Sequence, residues 1–199
     1  MAIVDTGVAN IASMEVAFRR LDAEPELTDR PSVVEGAPYV VLPGVGSFGA
    51  GMEMLHDSDL VAPIRRRLDA RRSTLAVCLG MQLLARTSDE APGVEGLGVV
   101  DASVDRFPND VRVPHFGWNE VHAGEDCELL RDGFAYFANS YRFSELPDGW
   151  AGATSEYGGR FVSAMECGPV LACQFHPELS SDWGLDLLER WLERGEQPC

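Results

Sequence analysis

The first half of the chain alternates short apolar runs with segments of helical periodicity. The apolar runs have the length of strands, and their continuity is typical of strands buried on both faces of a parallel sheet. Helical patterns over residues 11–21 and 59–72 fall between them. The predicted strands of this half are residues 2–5, 26–28, 38–42 and 74–77.

The pattern changes after about residue 90. Short strand-like runs separated by glycine and proline follow, and we expect them to form an antiparallel or mixed extension of the sheet. An amphipathic helix over residues 183–194 comes last. Together these patterns predict one α/β domain over residues 1–199: an open, doubly wound, mostly parallel sheet with helices on both faces. The later runs are residues 97–100, 111–113, 119–122, 134–137, 151–154, 161–165 and 170–175.

The charge balance is strongly acidic. The chain has 32 acidic and 16 basic residues, a formal net charge of −16, and every basic residue is arginine. So negative a surface makes nucleic acid a poor partner. We hypothesise a salt-rich cytoplasm, where screening relieves the self-repulsion; a GC-rich genome would explain the missing lysine but less well the acid excess. An unfolding midpoint that rises from low to molar KCl is the expected result.

The apolar runs, the N-terminal residues and the cysteines further limit the class of protein that the chain can be. No apolar run approaches the roughly 20 residues that span a bilayer, and no basic segment precedes an apolar one at the N-terminus. We therefore expect a cytoplasmic protein. The cysteines are odd in number and form no CxxC pair, which argues against a disulfide framework or a zinc site, so no metal or cofactor is expected. They are Cys78, Cys127, Cys167, Cys173 and Cys199.

Cys78 ends an apolar strand and is followed at once by a helical pattern. Gly80 stands two residues later, so the stretch predicts a strand, a tight turn and a helix. A nucleophile at such a turn stands above the sheet, and the positive end of the helix favours the thiolate. We hypothesise that Cys78 is a catalytic nucleophile; the alternative is a buried structural cysteine.

A cysteine nucleophile needs a base, and the base needs an orienting group. Pro177 favours extended geometry at His176, which would place His176 and Glu178 on one side of the chain. They follow an apolar strand, as Cys78 does, and ligands of open α/β sheets bind at that edge. His56 and His122 have acidic neighbours and are expected at the surface, whereas His115 stays a competitor.

A glycine-rich loop follows the strand at 38–42. Attack on an acyl group creates an oxyanion, which needs donors already in place. The N–H of Leu79 is one candidate, and the Gly44–Val45 loop can supply a second. The loop lacks the Lys and Ser/Thr of a phosphate-binding loop, and it could also be an ordinary strand-to-helix connection.

Three motifs together resemble the class I (triad) glutamine amidotransferases: Ala76-Val77-Cys78-Leu79-Gly80-Met81-Gln82, Pro43-Gly44-Val45-Gly46 and Gln174-Phe175-His176-Pro177-Glu178. Within that family, the chain looks most like the glutaminase subunits of imidazole glycerol phosphate synthases. The stretches that carry this closer resemblance are Asp5-Thr6-Gly7-Val8-Ala9-Asn10, Pro43-Gly44-Val45-Gly46-Ser47-Phe48-Gly49, Pro114-His115-Phe116-Gly117-Trp118-Asn119 and Tyr136-Phe137-Ala138-Asn139-Ser140-Tyr141. The sequence departs from the family pattern at Ala76, usually glycine, at Thr6, usually aromatic, and at Asn139, often histidine. The last departure puts any hydrogen bond of that histidine in doubt.

The resemblance implies hydrolysis of L-glutamine without a cofactor. Cys78 would form a thioester, His176 would protonate the departing ammonia and then activate water, and Glu178 would orient His176. The oxyanion donors would come from Gly44, Val45 and Leu79. Substrate contacts would come from Gln82, Glu90, Ser140 and Tyr141.

The resemblance also implies a partner. The glutaminase subunits of imidazole glycerol phosphate synthases form a heterodimer with a (β/α)8-barrel cyclase. The cyclase uses the ammonia to make imidazole glycerol phosphate and an aminoimidazole carboxamide ribotide. Asn10, Trp118 and Tyr136 are candidates for the docking face, although each could be core packing. Reorientation of the Gly44–Val45 peptide on docking is an expected switch.

Three other functions remain open from the sequence. The chain could serve anthranilate, aminodeoxychorismate or guanylate synthesis, although the stretch around Trp118 argues against this. It could be a non-catalytic subunit, against which the intact Cys78, His176 and Glu178 argue. It could also be a free-standing hydrolase of γ-glutamyl peptides, which activity without a partner would favour.

Overall fold

The first half of the molecule alternates strands and helices, as its apolar pattern predicts. The structure is a computed structural model, and it describes residues 1–6 and 11–195. The elements of this half are β1 (Ala2–Val4), α1 (Ile11–Arg19), β2 (Glu26–Thr28), α2 (Pro31–Gly36), β3 (Val40–Leu42), α3 (Phe48–Asp57), α4 (Val61–Asp69), β4 (Thr74–Val77) and α5 (Leu79–Gln82).

The second half is mostly strands and ends in a long helix. A single 3-10 turn, Pro177–Leu179, separates the last strand from that helix. The remaining elements are β5 (Thr87–Ser88), β6 (Ser103–Arg106), β7 (His115–Ala123), β8 (Gly133–Asn139), β9 (Tyr141–Arg142), β10 (Ala151–Glu156), β11 (Arg160–Cys167), β12 (Val170–Cys173) and α6 (Ser181–Gly195).

A nine-stranded sheet runs through the molecule in the order β2-β1-β3-β4-β12-β11-β10-β7-β8. The strands from β2 to β12 are parallel, and each later strand is antiparallel to its neighbour. The predicted α/β sheet with an antiparallel extension is therefore confirmed. A separate small sheet has the order β5-β6-β9.

Alternate residues of the parallel strands feed two hydrophobic cores, one on each face of the sheet. Val40 and Leu42 of β3 pack in the core that holds α3 and α4, whereas Val41 packs in the core that holds α1 and α6. Trp191 of α6 anchors the second core. Side chains that point alternately to both faces explain why the strands are apolar throughout and why helices cover both faces.

Two of the predicted strands are wrong, and two helices were missed. Residues 97–100 and 111–113 form no strand. The backbone N–H groups of Leu97 and Val99 donate to Leu83 and Leu84, so this segment bonds to the turn after α5 and not to a ladder. The segments of α2 and α3 had no predicted helix; α3 carries Gly49 and Gly51, which disfavour helix.

The helix predicted over residues 59–72 is shorter than its pattern. It spans Val61–Asp69, and Arg71 has a φ of 49°, a left-handed conformation that ends the helix. Within residues 1–6 and 11–195, no helix has both the length and the hydropathy needed to cross a bilayer.

Candidate active site

Cys78 occupies the turn between β4 and α5. Its backbone has φ 54° and ψ −109°, a conformation that non-glycine residues rarely adopt and that is associated with functional sites. The N–H of Cys78 donates to the carbonyl of Cys173 in the neighbouring strand at 2.7 Å. A Cβ on Gly80 would lie 2.0 Å from the carbonyl oxygen of Leu42, so only glycine lets the turn pack against β3.

His176 follows β12, the strand beside β4. Because Cys173 pairs with Val77 in parallel register, the residues after both strands meet at one edge of the sheet. Nδ1 of His176 lies 2.9 Å from Oε1 of Glu178, and both side chains are almost wholly buried. The structure therefore brings the predicted base and orienting carboxylate together beside Cys78. The chain is extended at His176, but Glu178 stands in the 3-10 turn and not in an extended segment.

His176 is held as a cation. Burial acts to lower the pKa of His176, but hydrogen bonds to Cys78 and Glu178, with the negative charges of both, raise it from 6.5 to about 10. At neutral pH the site therefore holds a protonated imidazole beside the sulfur. This group can give a proton to an amine that leaves, and it can take one from water once it is neutral.

We expect the ring of His176 to stay protonated up to about pH 10, as ring ¹⁵N shifts will measure. The raised pKa contributes stability that is complete below pH 6.5 and is lost as the pH rises through about 10. Cys78→Ala removes the partner charge and should lower the midpoint by at least about one unit. Cys127→Ala is the control, with no change expected. A wild-type midpoint near 6.5 would contradict the ion pair.

The glycine-rich loop after β3 lies against the turn at Cys78. It presents the carbonyl of Gly44 to this turn, and not the N–H of Val45. The N–H of Leu79, one predicted oxyanion donor, donates to the carbonyl of Gly44 at 3.3 Å. In a trans peptide the C=O and N–H point in opposite directions, so the N–H of Val45 points away from Leu79. The predicted residues are together, and the two-donor arrangement is not formed in this conformation.

A pocket of about 160 Å³ opens beside the sulfur. All four residues predicted to contact the substrate line this pocket: Gln82, Glu90, Ser140 and Tyr141. Val45, Leu79 and His176 also line it. Nε2 of Gln82 donates to the carbonyl of Tyr141 at 3.0 Å. Oε2 of Glu90 accepts from the N–H of Phe48 at 2.7 Å, which ties Glu90 to the start of α3. The pocket is thus lined by a carboxylate, Glu90, and by the thiol of Cys78.

The remaining histidines do not compete with His176. His115 is buried between aromatic rings and stacks on Tyr157 with ring centroids 3.9 Å apart. Burial lowers the pKa of His115 to about 4, so the ring is neutral. His56 and His122 are exposed.

Asn139 stands at a position where the resembled family often has histidine. Its side chain is buried, and Nδ2 donates to the carbonyl of Tyr141 at 3.0 Å. The segment that lines the pocket therefore keeps a side-chain donor at this position.

Two of the three predicted docking residues, Trp118 and Tyr136, lie on the outer face of β7 and β8. Asn10 lies outside the described residues. Trp118 is 55% exposed, and its ring meets that of Tyr136 edge-on at 6.2 Å. Phe116 and Phe134, which the sequence reasoning missed, are also exposed on these strands. The pattern of β7 and β8 could have revealed them, because residues two apart along a strand point to the same face. Phe116 lies two residues from Trp118, and Phe134 lies two residues from Tyr136.

Comparison with known proteins agrees with this geometry. The family described as glutamine amidotransferase class-I matches residues 2–193. The imidazole glycerol phosphate synthase subunit HisH of Methanothermobacter thermautotrophicus is 38% identical over 196 residues, 97% of this chain and 98% of that protein. The chloroplastic imidazole glycerol phosphate synthase hisHF of Arabidopsis thaliana is 36% identical over 199 residues, 96% of this chain and 34% of that longer protein.

A solved structure shows the same fold. The crystal structure of a glutamine amidotransferase superposes with a TM-score of 0.79 at 22% identity, over 98% of this chain and 99% of that one. The family match over residues 2–193 and the 38% identity along nearly the whole of both chains show that this chain belongs to the class-I glutamine amidotransferases.

Proposed function

We propose that this chain is the glutaminase subunit of an imidazole glycerol phosphate synthase. Residues 1–199 act as one amidotransferase domain that hydrolyses L-glutamine to glutamate and ammonia. The observation that carries the proposal is the strained turn at Cys78 beside the His176–Glu178 pair. The relatives named HisH and hisHF support the choice of synthase over the anthranilate, aminodeoxychorismate and guanylate systems.

The chemistry follows from the charges at the site. The Cys78 thiolate attacks the side-chain amide carbon of glutamine, and the His176 imidazolium gives its proton to the leaving nitrogen, which departs as ammonia. The resulting thioester is then attacked by water, whose proton returns to His176. Glutamate leaves and the thiolate is restored. Glu178 orients the imidazole throughout and stabilises its charge.

Substrate orientation is assigned to the pocket walls. The carboxylate of Glu90 pairs with the α-ammonium of glutamine, because among the described residues that line the pocket it is the acidic one. Backbone groups at Ser140 and Tyr141 hold the α-carboxylate. Gln82 also lines the pocket and fixes its wall through the hydrogen bond to Tyr141. These contacts set the side-chain amide against Cys78.

The oxyanion hole is incomplete in the resting conformation of the site. The carbonyl of Gly44 accepts the N–H of Leu79, so an oxyanion formed at Cys78 would lack its donors. Rotation of the Gly44–Val45 peptide would release Leu79 and turn the N–H of Val45 inward. We therefore assign low glutaminase activity to the free subunit, which also disfavours a free-standing hydrolase.

The partner is a (β/α)8-barrel cyclase, bound as a heterodimer in the cytoplasm. The outer face of β7 and β8 carries four large aromatic side chains, and aromatic residues are enriched at the cores of interfaces. Ala138 and Asn139 at the end of β8 line the glutamine pocket, so ammonia forms next to this face. Docking there lets ammonia pass to the cyclase unprotonated. The face is made of Phe116, Trp118, Phe134 and Tyr136.

An assay of ammonia release tests this proposal. The subunit is measured alone, with the barrel cyclase, and with the cyclase and its ribotide ligand. We expect little activity alone and at least about a hundredfold more in the liganded complex, as completion of an oxyanion hole provides. The same rate in all three samples would refute the proposed activation, and absence of activity in all three would refute the function.

A further inference from the structure

Gln174 has a buried polar side chain that the proposed glutaminase chemistry does not use. It follows β12, two residues before His176, and its side chain is wholly buried. A buried amide is expected to have hydrogen-bond partners, because leaving its groups unpaired is costly. Its partners are residues of the glutamine pocket.

Two amide side chains and the sulfur form one chain of hydrogen bonds. Oε1 of Gln174 accepts from Nε2 of Gln82 at 2.9 Å. On the other side, Nε2 of Gln174 donates to Sγ of Cys78 at 3.8 Å, a distance suited to the large sulfur atom. The amide of Gln174 thus bridges Gln82 to the nucleophile.

The orientation of both amides is fixed by what surrounds them. Nε2 of Gln82 has two hydrogens and faces two acceptors, the carbonyl of Tyr141 and Oε1 of Gln174. Reversal of either amide would set like groups against each other. Gln174 must therefore present its N–H, and not its oxygen, to Cys78.

We propose that Gln174 is a further catalytic residue, whose Nε2–H stabilises the negative charge that returns to Sγ of Cys78 when the thioester is hydrolysed. The inference rests on the proposed glutaminase function. It assigns to the sulfur a donor from a wholly buried side chain, held in place by Gln82.

The donor acts chiefly in deacylation. In the thioester the sulfur is neutral and a weak acceptor. When water attacks the thioester carbon, His176 takes the water proton, the carbon–sulfur bond breaks, and its electron pair goes to Sγ. The hydrogen bond from Gln174 strengthens as this charge develops, so it stabilises the transition state more than the thioester.

The test uses Gln174→Met in the complete complex with the cyclase. Methionine has a similar shape and no donor. We expect kcat to fall by about 10–100-fold and the γ-glutamyl thioester at Cys78, trapped by acid quench and detected by mass spectrometry, to accumulate. Ser163→Ala is the matched control, since Ser163 is a buried polar residue on β11 whose hydroxyl has no partner among the described residues. It should behave as the wild type.

A second measurement needs neither glutamine nor the partner. The rate of Cys78 alkylation by iodoacetamide at one fixed pH reports the reactivity of its sulfur, and Gln174→Met should change that rate by about threefold or more, because the donor to Sγ is lost. The charged side chains at the pocket and beside Cys78 among the described residues are His176, Glu178 and Glu90; all are retained. This change in rate is expected even if the chain proves not to be a glutaminase, so the two failures are distinguishable.

Wild-type values of kcat, thioester occupancy and alkylation rate in Gln174→Met overturn the proposal. If that variant does not fold, Gln174→Asn keeps an amide that is one methylene too short to bridge Gln82 and Cys78. The same changes are then expected from it, and wild-type behaviour of Gln174→Asn likewise overturns the proposal.

Discussion

Cys78→Ala is expected to abolish ammonia release from glutamine in the complete complex, with a loss of more than about a thousandfold in kcat. The reason is that, among the residues that the structure describes, Cys78 is the one thiol that lines the pocket. Alanine at this buried position also removes the sulfur that is hydrogen-bonded to His176, but it leaves the aromatic face of β7 and β8 untouched. The variant should therefore still bind the cyclase, which should turn over with added ammonium salt.

The control for this variant is Cys127→Ala. Cys127 is half-buried, and burial raises the pKa of its thiol further, so it is a poor nucleophile. Ammonia release by Cys127→Ala should equal that of the wild type. Ammonia release that survives in Cys78→Ala would instead remove the basis for the proposed chemistry.

Gly44→Ala is expected to reduce glutaminase activity by at least about a hundredfold and to lower stability as well. A Cβ on Gly44 would lie 2.7 Å from Cβ of Leu79 and 2.9 Å from the backbone nitrogen of Gly80. The turn that carries Cys78 would have to shift, because backbone cannot yield as a flexible side chain can. Overpacking of this kind costs about 1–3 kcal/mol, which lowers the unfolding midpoint of a chain this size by about 2–12 °C.

Gly36→Ala provides the comparison for Gly44→Ala. Gly36 ends α2, and a Cβ there would meet no atom within 4 Å. Its activity should be unchanged, and its stability should be unchanged or slightly higher, since alanine restricts the unfolded chain. Equal activities of Gly44→Ala and Gly36→Ala, measured in the liganded complex beside thermal melts, would show that close approach of the loop to Leu79 is dispensable.

Much of the fold was predictable because its signals are local. The strands β1, β3 and β4 are continuous apolar runs, and burial on both faces leaves that pattern wherever it occurs. The meeting of Cys78 and His176 was also predictable in kind, since both follow strands that end at the same edge of the sheet. The pairing of Glu178 with His176 was predictable from their separation of two residues.

Other features depend on contacts distant in sequence and left no local signal. The glycines of α3 disfavour helix, yet Gly51 packs where a Cβ would lie 3.1 Å from the side chain of Leu79. Packing thus overrides intrinsic propensity there. The bond from Leu79 to Gly44 and the bridge from Gln174 to Cys78 join residues 35 and 96 positions apart. Only the structure gives the orientation of a peptide or an amide.

We propose that ammonia is released at Cys78 and passes directly to the cyclase. The most direct measurement supplies the complex with amide-¹⁵N-glutamine in the presence of excess unlabelled ammonium and follows the label into imidazole glycerol phosphate. The result we expect is ¹⁵N in the product of the wild-type complex and unlabelled nitrogen in that of the Cys78→Ala complex. Product from the wild-type complex that carries only unlabelled nitrogen would contradict the claim.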